Sequence, residues 1–247
     1  MILQRFKQLL TRVGERTPGP ALIELQAVVN YLGVGRWMRQ HGYQVPKRLR
    51  SREEVWSAMA EPLRDRPVLY LEFGVYQGGA TRFWSKLLRH PDSRLHGFDS
   101  FEGLPERGGC WSKGQFDVGG RIPVIEDRRV RFFKGWFDQV LPTYVPPPHE
   151  SLVVILDADL YSSTMCVLRH LQPWIRPGTL IYFDELNHLE HEPRALDEFM
   201  SETGLVFRPA YTDISLAFTC FECLGLEPGR VPLGGALQPA EAIAASA

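Results

Sequence analysis

Apolar positions follow two different periods along the chain, and the change falls near residue 67. Before it, apolar residues recur every three or four positions, as in amphipathic helices. They predict helices over 2–13, 20–33 and 51–63, with Ser51 as the N-terminal cap of the third. After residue 67, short apolar runs alternate with helical stretches, which predicts a parallel sheet with crossover helices.

Seven short apolar segments after residue 67 fit β-strands. They are 68–74, 94–99, 130–134, 152–157, 179–184, 206–212 and 215–222. Only a short turn separates the last two, so they must pair as an antiparallel hairpin, whereas the others are joined by crossovers. We therefore predict an α/β fold with a seven-stranded, mostly parallel sheet, a C-terminal antiparallel hairpin and additional N-terminal helices.

The pattern divides the chain into three segments. Residues 1–66 form an N-terminal helical segment, and residues 67–226 form one α/β domain. In residues 227–247 Pro, Gly and Ala dominate, and we expect this tail to be disordered. Within the domain, residues 102–129 are rich in Gly and polar side chains, and a loop of this length is usually functional or mobile.

Composition and charge narrow the class of partner. The 247 residues are 44% hydrophobic, which is enough for the core of one sizeable domain, and carry a formal net charge of -1. Such a chain has no general attraction for nucleic acid, so we expect a small-molecule partner and no nucleic acid. No apolar run reaches the roughly 18 to 20 residues that span a bilayer. Because a secretory signal is also missing, we expect a cytoplasmic protein without a transmembrane segment.

The N-terminal segment has two basic features, each with two interpretations. On the first helix, apolar residues lie opposite basic ones: Leu3, Phe6, Leu9, Leu10 and Val13 against Arg5, Lys7 and Arg12. This helix is either a membrane-surface or targeting segment, or it packs on the domain or on a second subunit. We favour packing, which allows for a homo-oligomer through the N-terminal helices. A second basic stretch, with Lys47, Arg48, Arg50 and Arg52, serves an anionic substrate or, as we favour, forms a solvated face.

The first strand of the domain leads through a glycine-rich turn into a helix that we expect to begin near Thr81. In open α/β sheets, ligands bind at such turns, outside the carboxyl ends of the strands. Gly74 and Gly78 are four residues apart and Tyr76 lies between them, which does not match the G-x-G-x-x-G of dinucleotide-binding turns. No Lys-Ser/Thr pair follows, as it would in a triphosphate-binding loop.

S-adenosylmethionine has chemistry that suits this turn. Its amino-acid end needs a carboxylate partner and close backbone approach, which Glu72, Gly74 and Gly78 can supply. The second strand ends in Asp99 and Ser100, so an acid lies where two ribose hydroxyls could donate to it. Glycine turns and strand-end aspartates also occur as plain structural features. Together and in this order, however, they predict S-adenosylmethionine binding.

Acidic residues follow two further strands. Asp157 and Asp159 end one strand, and Asp184 and Glu185 end the next. If these strands are neighbours, the carboxylates share one crevice, and their repulsion favours a bound cation. Oxygen ligands suit a hard ion such as Mg²⁺, for which we expect Asp157, Asp184 and Glu185 as ligands. The alternative is that Asp159 caps the following helix and that Asp184 and Glu185 are exposed on a loop.

Several ordered motifs over about residues 67–200 resemble the macrocin O-methyltransferase family. They are Glu72-Phe-Gly-Val-Tyr-Gln-Gly-Gly, Gly97-Phe-Asp-Ser-Phe-Glu-Gly-Leu-Pro105, Gly135-Trp-Phe-Asp-Gln-Val-Leu-Pro142, Asp157-Ala-Asp-Leu-Tyr161 and Phe183-Asp-Glu185. The resemblance implies a Rossmann-like methyltransferase fold, S-adenosylmethionine as donor, and a divalent metal that holds a hydroxylated acceptor, often a sugar on a natural product. By matching position it implies donor contacts from Glu72, Gly74, Gly78 and Asp99, an adenine contact from Trp136, and metal ligation by Asp157, Asp184 and Glu185. Members that modify antibiotics tend to carry two aspartates where this chain has Asp184 and Glu185.

The sequence thus predicts an enzyme that transfers a methyl group from S-adenosylmethionine to a small molecule. The acceptor atom is expected to be a hydroxyl oxygen of a sugar-containing or other natural product, with Mg²⁺ assisting; N- or carboxyl-methylation is a variant. Asp157 or His188 would take the proton, although loop histidines such as His188 and His191 are more often simply solvated. Two other classes stay open: a nucleotide-cofactor oxidoreductase, which the glycine spacing disfavours, and a donor-binding module without catalysis.

Overall fold

A computed structural model describes residues 2–229 of the chain. From residue 230 onward, the tail that was expected to be disordered lies outside the described residues. Within residues 2–229, no helix has the length and apolar character needed to cross a bilayer.

The described chain folds around one eight-stranded sheet. Its strands are β1 (Arg48–Leu49), β2 (Val68–Phe73), β3 (Arg94–Asp99), β4 (Val130–Lys134), β5 (Ser151–Leu156), β6 (Leu180–Phe183), β7 (Leu205–Asp213) and β8 (Thr219–Leu226). Their spatial order is β1-β7-β8-β6-β5-β2-β3-β4, and β8 runs antiparallel to its neighbours β6 and β7. The direction of the winding reverses between β2 and β5. In doubly wound α/β folds, this reversal point is where ligands bind.

Seven α-helices are described. They are α1 (Ile2–Gly14), α2 (Gly19–Gln40), α3 (Arg52–Ala60), α4 (Gly79–Leu87), α5 (Phe137–Val140), α6 (Tyr161–Leu171) and α7 (Glu192–Thr203). Helices α3 and α4 pack on one face of the sheet, and α6, α7 and the second half of α2 pack on the other. As predicted, the Ser51 side chain caps α3 by accepting a hydrogen bond from the Glu54 N–H.

The predicted α/β fold with a mostly parallel sheet and a C-terminal antiparallel hairpin is confirmed, and the structure differs from the prediction in three details. β1 was not predicted, because a two-residue edge strand shows no periodicity. β8 begins at Thr219 instead of 215, since Asp213 accepts hydrogen bonds from the backbone N–H groups of Ser215 and Phe218 and thereby extends the turn. α2 continues to Gln40, beyond the predicted end at residue 33, because its second half is packed into the core.

The central strand β2 is buried on both faces. Leu69 and Leu71 point into the layer formed with α2, α6 and α7, whereas Tyr70 points into the layer formed with α3 and α4. The ring of Tyr70 lies 5.1 Å from that of Trp84 on α4, and both side chains are fully buried. Because each large apolar side chain contributes about 1.5 to 3 kcal/mol when buried, this two-sided core fixes the position of β2 and the turn that follows it.

Outside this core, α1 and the first half of α2 expose their apolar residues. The large apolar side chains of α1, from Leu3 to Val13, are 53 to 65% exposed. The interpretation that the first helix packs on the domain is therefore not met, whereas packing on a second subunit stays a prediction.

The backbones of β2 and β5 approach most closely just beyond the end of β2, at Gly74. This residue has a φ of 94°, and a Cβ added to it would lie 1.7 Å from the carbonyl oxygen of Asp157. The backbone N–H groups of Gly74 and Asp157 still donate to strand carbonyls, at 3.0 and 2.9 Å. Only glycine combines the left-handed conformation with such a contact, so Gly74 allows the two strand ends to meet.

We expect Gly74→Ala to lower the free energy of unfolding by about 3 kcal/mol or more, because the added methyl group and the positive φ are both incompatible with the native backbone. Gly79→Ala is the matched control, since Gly79 lies in α4 and its added Cβ meets nothing within 4 Å. The control should be neutral or raise stability by about 0.5 to 1 kcal/mol. Urea denaturation measures both, and similar midpoints for the two variants would contradict the close approach.

Candidate active site

A cavity of about 870 Å³ opens at the carboxyl ends of β2, β3, β5 and β6. Its walls come from the turn after β2, the ends of these strands, the loop after β3, and the beginnings of α3 and α6. This volume is typical of small-molecule sites, which span roughly 300 to 1,000 Å³. The cavity coincides with the reversal point of the sheet, so fold and cavity indicate the same binding region.

Glu72 lies at the end of β2 on the cavity wall and is 1% exposed. Its Oε2 atom accepts hydrogen bonds from the hydroxyls of Tyr70 at 2.7 Å and Thr81 at 2.6 Å. Burial raises the pKa of Glu72 to about 7, although both hydrogen bonds favour the ionised form. The carboxyl group is therefore held in one orientation by its strand and by α4, and its charge is sensitive to a cationic ligand.

Asp99 organises the backbone around the turn. Its Oδ2 atom accepts hydrogen bonds from the N–H groups of Val75 and Tyr76, both at 2.8 Å, and its Oδ1 accepts from Phe101 N–H at 2.6 Å. The structural explanation weighed for this residue, an acid that caps a loop, thus holds. Asp99 also lines the cavity, and each carboxylate oxygen has capacity for more than one donor.

Trp136 forms part of the wall next to Asp99. It follows Gly135, whose backbone N–H donates to the Asp99 carbonyl oxygen at 2.9 Å and whose φ of 146° turns the chain at the end of β4. The indole is partly exposed and lines the cavity beside Phe137. This geometry offers a flat aromatic surface one strand away from Asp99.

Four carboxyl groups gather where β5 and β6 end. β5 and β6 are paired neighbours, so Asp157, Asp159, Asp184 and Glu185 lie together, and all four line the cavity. Burial raises the pKa of Asp157, and the charges of Asp184, Asp159 and Glu185 raise it further. Burial and the Asp159 charge also raise the pKa of Glu185, to about 9. Asp159 has a left-handed φ of 59° and shares a hydrogen bond with Glu185, so it does not act as the helix cap considered above.

Arg52 is the cation nearest these acids among those whose contacts are described. Its Nη1 lies 3.5 Å from Asp184 Oδ2, and its guanidinium lies 5.3 Å from the ring centroid of Trp56. The other Asp184 oxygen, Oδ1, accepts from the Tyr182 hydroxyl at 2.7 Å. In the part of the chain that the structure describes, no group of three or more His, Cys, Asp or Glu side chains is arranged to hold a metal ion. The expected ligands therefore share one crevice without forming a preassembled metal centre.

Another buried carboxyl group, Glu192, lies beside these four acids and was not predicted from the sequence. It begins α7 and is 0% exposed, and its Oε2 accepts from the Glu185 backbone N–H at 2.9 Å. Its Oε1 has no hydrogen-bond partner among the described residues. The sequence gives no sign of this burial, because a glutamate in the first turn of a helix is usually exposed and favourable there. Glu192 fixes the backbone of Glu185 and thereby helps to position the Glu185 carboxyl group beside the other acids.

The loop after β3 covers one side of the cavity. Leu104, Lys113 and Phe116 line it, and the Phe116 ring packs edge-on against Tyr76 at 5.9 Å. Trp111 is buried in the same loop, and its ring lies 4.6 Å from that of His188. The long polar segment predicted as functional or mobile thus forms part of the cavity wall.

The structure brings together most of the predicted site residues. The cavity walls include five of those predicted for the donor and all of those predicted for a metal: Glu72, Gly74, Asp99, Ser100, Trp136, Asp157, Asp184 and Glu185. Gly78 is not among the lining residues; it precedes α4 in a left-handed conformation against Pro123. His188 is also not among them, since it packs between Trp111 and Asn30.

Comparison with known proteins supports the resemblance seen in the motifs. The model of the family described as Macrocin-O-methyltransferase (TylF) matches residues 123–214. The 8-demethyl-8-(2,3-dimethoxy-alpha-L-rhamnosyl)-tetracenomycin-C 4'-O-methyltransferase of Streptomyces olivaceus is 33% identical over 136 residues, which cover 47% of this chain and 51% of that protein. The Mycinamicin III 3''-O-methyltransferase of Micromonospora griseorubida is 31% identical over 139 residues, 47% of this chain and 54% of that protein. The chain spans about half the length of the curated relatives it matches.

Solved structures share the fold at lower identity. The O-methyltransferase NovP superposes with a TM-score of 0.55 at 22% identity, over 71% of this chain and 80% of that chain. The calicheamicin methyltransferase CalS11 gives a TM-score of 0.52 at 22% identity, over 68% of this chain and 78% of that chain. The family-model match and the curated relatives agree with the motifs from Glu72 to Glu185, and the chain is therefore similar to the macrocin O-methyltransferase family.

Proposed function

We propose that this protein transfers a methyl group from S-adenosylmethionine to a hydroxyl oxygen of a small molecule, such as a sugar-containing natural product. The observation that carries the proposal is the single cavity at the reversal point of the sheet, which joins the turn after β2 to the acid group at the ends of β5 and β6. The relatives support the acceptor class, because their names specify O-methylation and, in one, a rhamnosyl group.

In this proposal the donor lies across β2, β3 and β4. Its ammonium group faces Glu72, whose buried carboxylate is stabilised in the charged form by a cation. Its ribose reaches the free lone pairs of Asp99 beside Ser100, and its adenine packs on Trp136. This placement directs the sulfonium towards the acids on β5 and β6.

Methyl transfer requires the acceptor oxygen, the methyl carbon and the leaving sulfur to lie in line. The oxygen forms a bond to the methyl carbon, the carbon–sulfur bond breaks, and the proton of the acceptor hydroxyl passes to a base. Asp157 is the base that the geometry favours, because it lines the cavity while His188 does not. Burial and the neighbouring acids raise the pKa of Asp157, which makes its carboxylate a stronger base.

We further propose that Asp157, Asp184 and Glu185 hold a divalent cation, of which Mg²⁺ is the first choice. The donor chemistry fits, because all these ligands are carboxylate oxygens and Glu185 Oε2 is buried without a hydrogen-bond partner among the described residues. When bound, such an ion lowers the proton affinity of an acceptor hydroxyl. Arg52 offsets the same negative charge through Asp184, so it competes with a cation for that carboxylate.

Two other functional classes would require different features of the cavity. A nucleotide-cofactor oxidoreductase needs a turn that cradles a pyrophosphate, but Tyr76 stands where a dinucleotide turn has its second glycine. A donor-binding module without catalysis needs no acid group, and five buried or partly buried carboxyl groups would then destabilise the fold for no purpose.

The first test concerns the donor. Trp136→Ala should weaken binding of adenosylhomocysteine about tenfold, because stacking of a base on an aromatic ring contributes roughly 1 to 3 kcal/mol. Trp174→Ala is the control, since Trp174 is likewise partly exposed but packs on His170, away from the cavity lining. Isothermal titration calorimetry gives both affinities. Unchanged affinity in Trp136→Ala, or tight binding of a nicotinamide dinucleotide by the wild type, would contradict the proposal.

The second test concerns the cation. Asp184→Asn should weaken Mg²⁺ binding at least tenfold, because the amide lacks the charge that a strongly hydrated ion needs. Arg52→Gln should strengthen it, because the competing cation is removed. Arg50→Gln is the control, since the Arg50 side chain is 90% exposed and its ion pair with Glu54 lies outside the cavity. Calorimetric titration with the metal measures all three.

Turnover provides the complementary readout. A chelator should abolish methyl transfer and leave adenosylhomocysteine affinity largely intact, and Mg²⁺ should restore transfer. Glu185→Asp should keep activity if this position acts only as a ligand. If transfer is confirmed but a chelator has no effect and no divalent ion binds at millimolar concentration, the cation is not part of the mechanism and Asp157 acts as a simple base.

A further inference from the structure

The N-terminal arm, defined as residues 2–32, is apolar and exposed. Twelve large apolar side chains between Leu3 and Leu32 are 46 to 71% exposed, five on α1 and seven on α2. Monomeric proteins rarely expose a continuous apolar patch larger than a few hundred Å². The arm exposes on the order of 1,000 Å², compared with about 800 Å² per partner in a standard protein interface.

The distribution of apolar residues on α2 indicates what covers it. With 100° between residues, one sector of about 120° contains most of the exposed apolar side chains of α2, namely Leu22, Leu25, Val28, Val29 and Leu32. Ile23 and Tyr31 lie outside this sector. An apolar sector of this width can be buried against a second helix, and Ile23 and Tyr31 widen the surface that such a partner would cover. Glu24 is the single charged residue from 19 to 35, so this part of α2 has no cationic face for anionic lipid.

The second half of α2 anchors the arm to the domain. Val34 and Met38 are buried in the core, and the Trp37 indole N–H donates to Asp197 Oδ2 at 2.9 Å. Asn30 and Gly33 lie against the segment after β6: Asn30 Nδ2 is 3.5 Å from His188 Nδ1, and a Cβ on Gly33 would meet Leu189. The exposed half of α2 therefore projects from a fixed base as a continuous helix.

We propose that the arm is the interface of a homodimer, in which the arms of two copies of this chain pack against each other. A two-fold interface uses the same patch on both partners, and the arm is large and apolar enough to serve as that patch. The amphipathic α1 would close over the paired α2 helices, with Arg5, Lys7 and Arg12 facing solvent. The dimer would also fix α2 against His188, which packs on Trp111 of the cavity cover.

The experiment compares two double variants of the full chain by sedimentation velocity from about 1 to 100 µM. The wild type should sediment at twice the chain mass of 28.2 kDa. Leu25→Glu with Val29→Glu should raise the dimer dissociation constant by about 100-fold or more, since it buries unpaired charges at the centre of the interface. Val124→Glu with Val145→Glu is the matched control, because these apolar side chains are 82% and 78% exposed outside the arm. The control should remain dimeric.

Thermal unfolding distinguishes loss of the dimer from loss of the fold. The wild-type Tm should rise with protein concentration, as expected for a dimer, and the arm variant should lose this dependence while keeping a cooperative transition. A monomeric wild type at 100 µM overturns the proposal, as does an assembly that the arm variant leaves intact. Monomers that sediment with vesicles of phosphatidylglycerol and phosphatidylcholine, and that lose this binding in the arm variant, would identify the arm as a membrane anchor instead.

Discussion

The close approach of β2 and β5 is the constraint on which the rest of this structure depends. Because Gly74 lets its backbone lie against the Asp157 carbonyl, the turn after β2 and the acid group after β5 face one cavity. A side chain at position 74 would force the two strand ends apart. The proposed donor and acceptor regions would then no longer share the short, direct path that an in-line transfer needs.

Charge is the second organising feature. The acids around the cavity are desolvated and repel one another, which raises the pKa values of Asp157, Asp159, Asp184 and Glu185. Tyr182 and Arg52 stabilise Asp184, while the backbone N–H of Glu185 binds Glu192. Burial and mutual repulsion favour the protonated form of these carboxyl groups, and a cationic ligand beside them would favour the ionised form. A sulfonium donor and a divalent ion are both cationic, which connects the electrostatics of the cavity to the proposed chemistry.

Much of the fold could be predicted from the sequence because most of its strands are short runs of apolar residues. The segments 94–99 and 130–134 match β3 and β4 to the residue, because a short turn precedes each of them. Side-chain hydrogen bonds and tertiary packing explain the differences between the predicted and the observed element boundaries. The Asp213 side chain extends the last turn and delays β8, and tertiary packing continues α2 beyond its glycines.

The site was partly predictable for a similar reason. Strand ends place Glu72, Asp99, Asp157 and Asp184 on the cavity wall, so order along the chain was enough to group them. The position of Arg52 depends on how α3 packs beside β6, and the burial of Glu192 depends on how α7 begins. Neither contact can be predicted from the spacing of residues in the sequence. His188 was grouped with the acids by proximity in sequence, but the loop turns its ring towards Trp111.

The most direct test of the central claim is a crystal structure of the complex with adenosylhomocysteine. We expect difference density across the ends of β2, β3 and β4, with adenine against Trp136, the amino-acid end at Glu72, and the sulfur facing Asp157. Density elsewhere on the molecule, or a ligand in the cavity whose sulfur points away from Asp157 and Asp184, would contradict it.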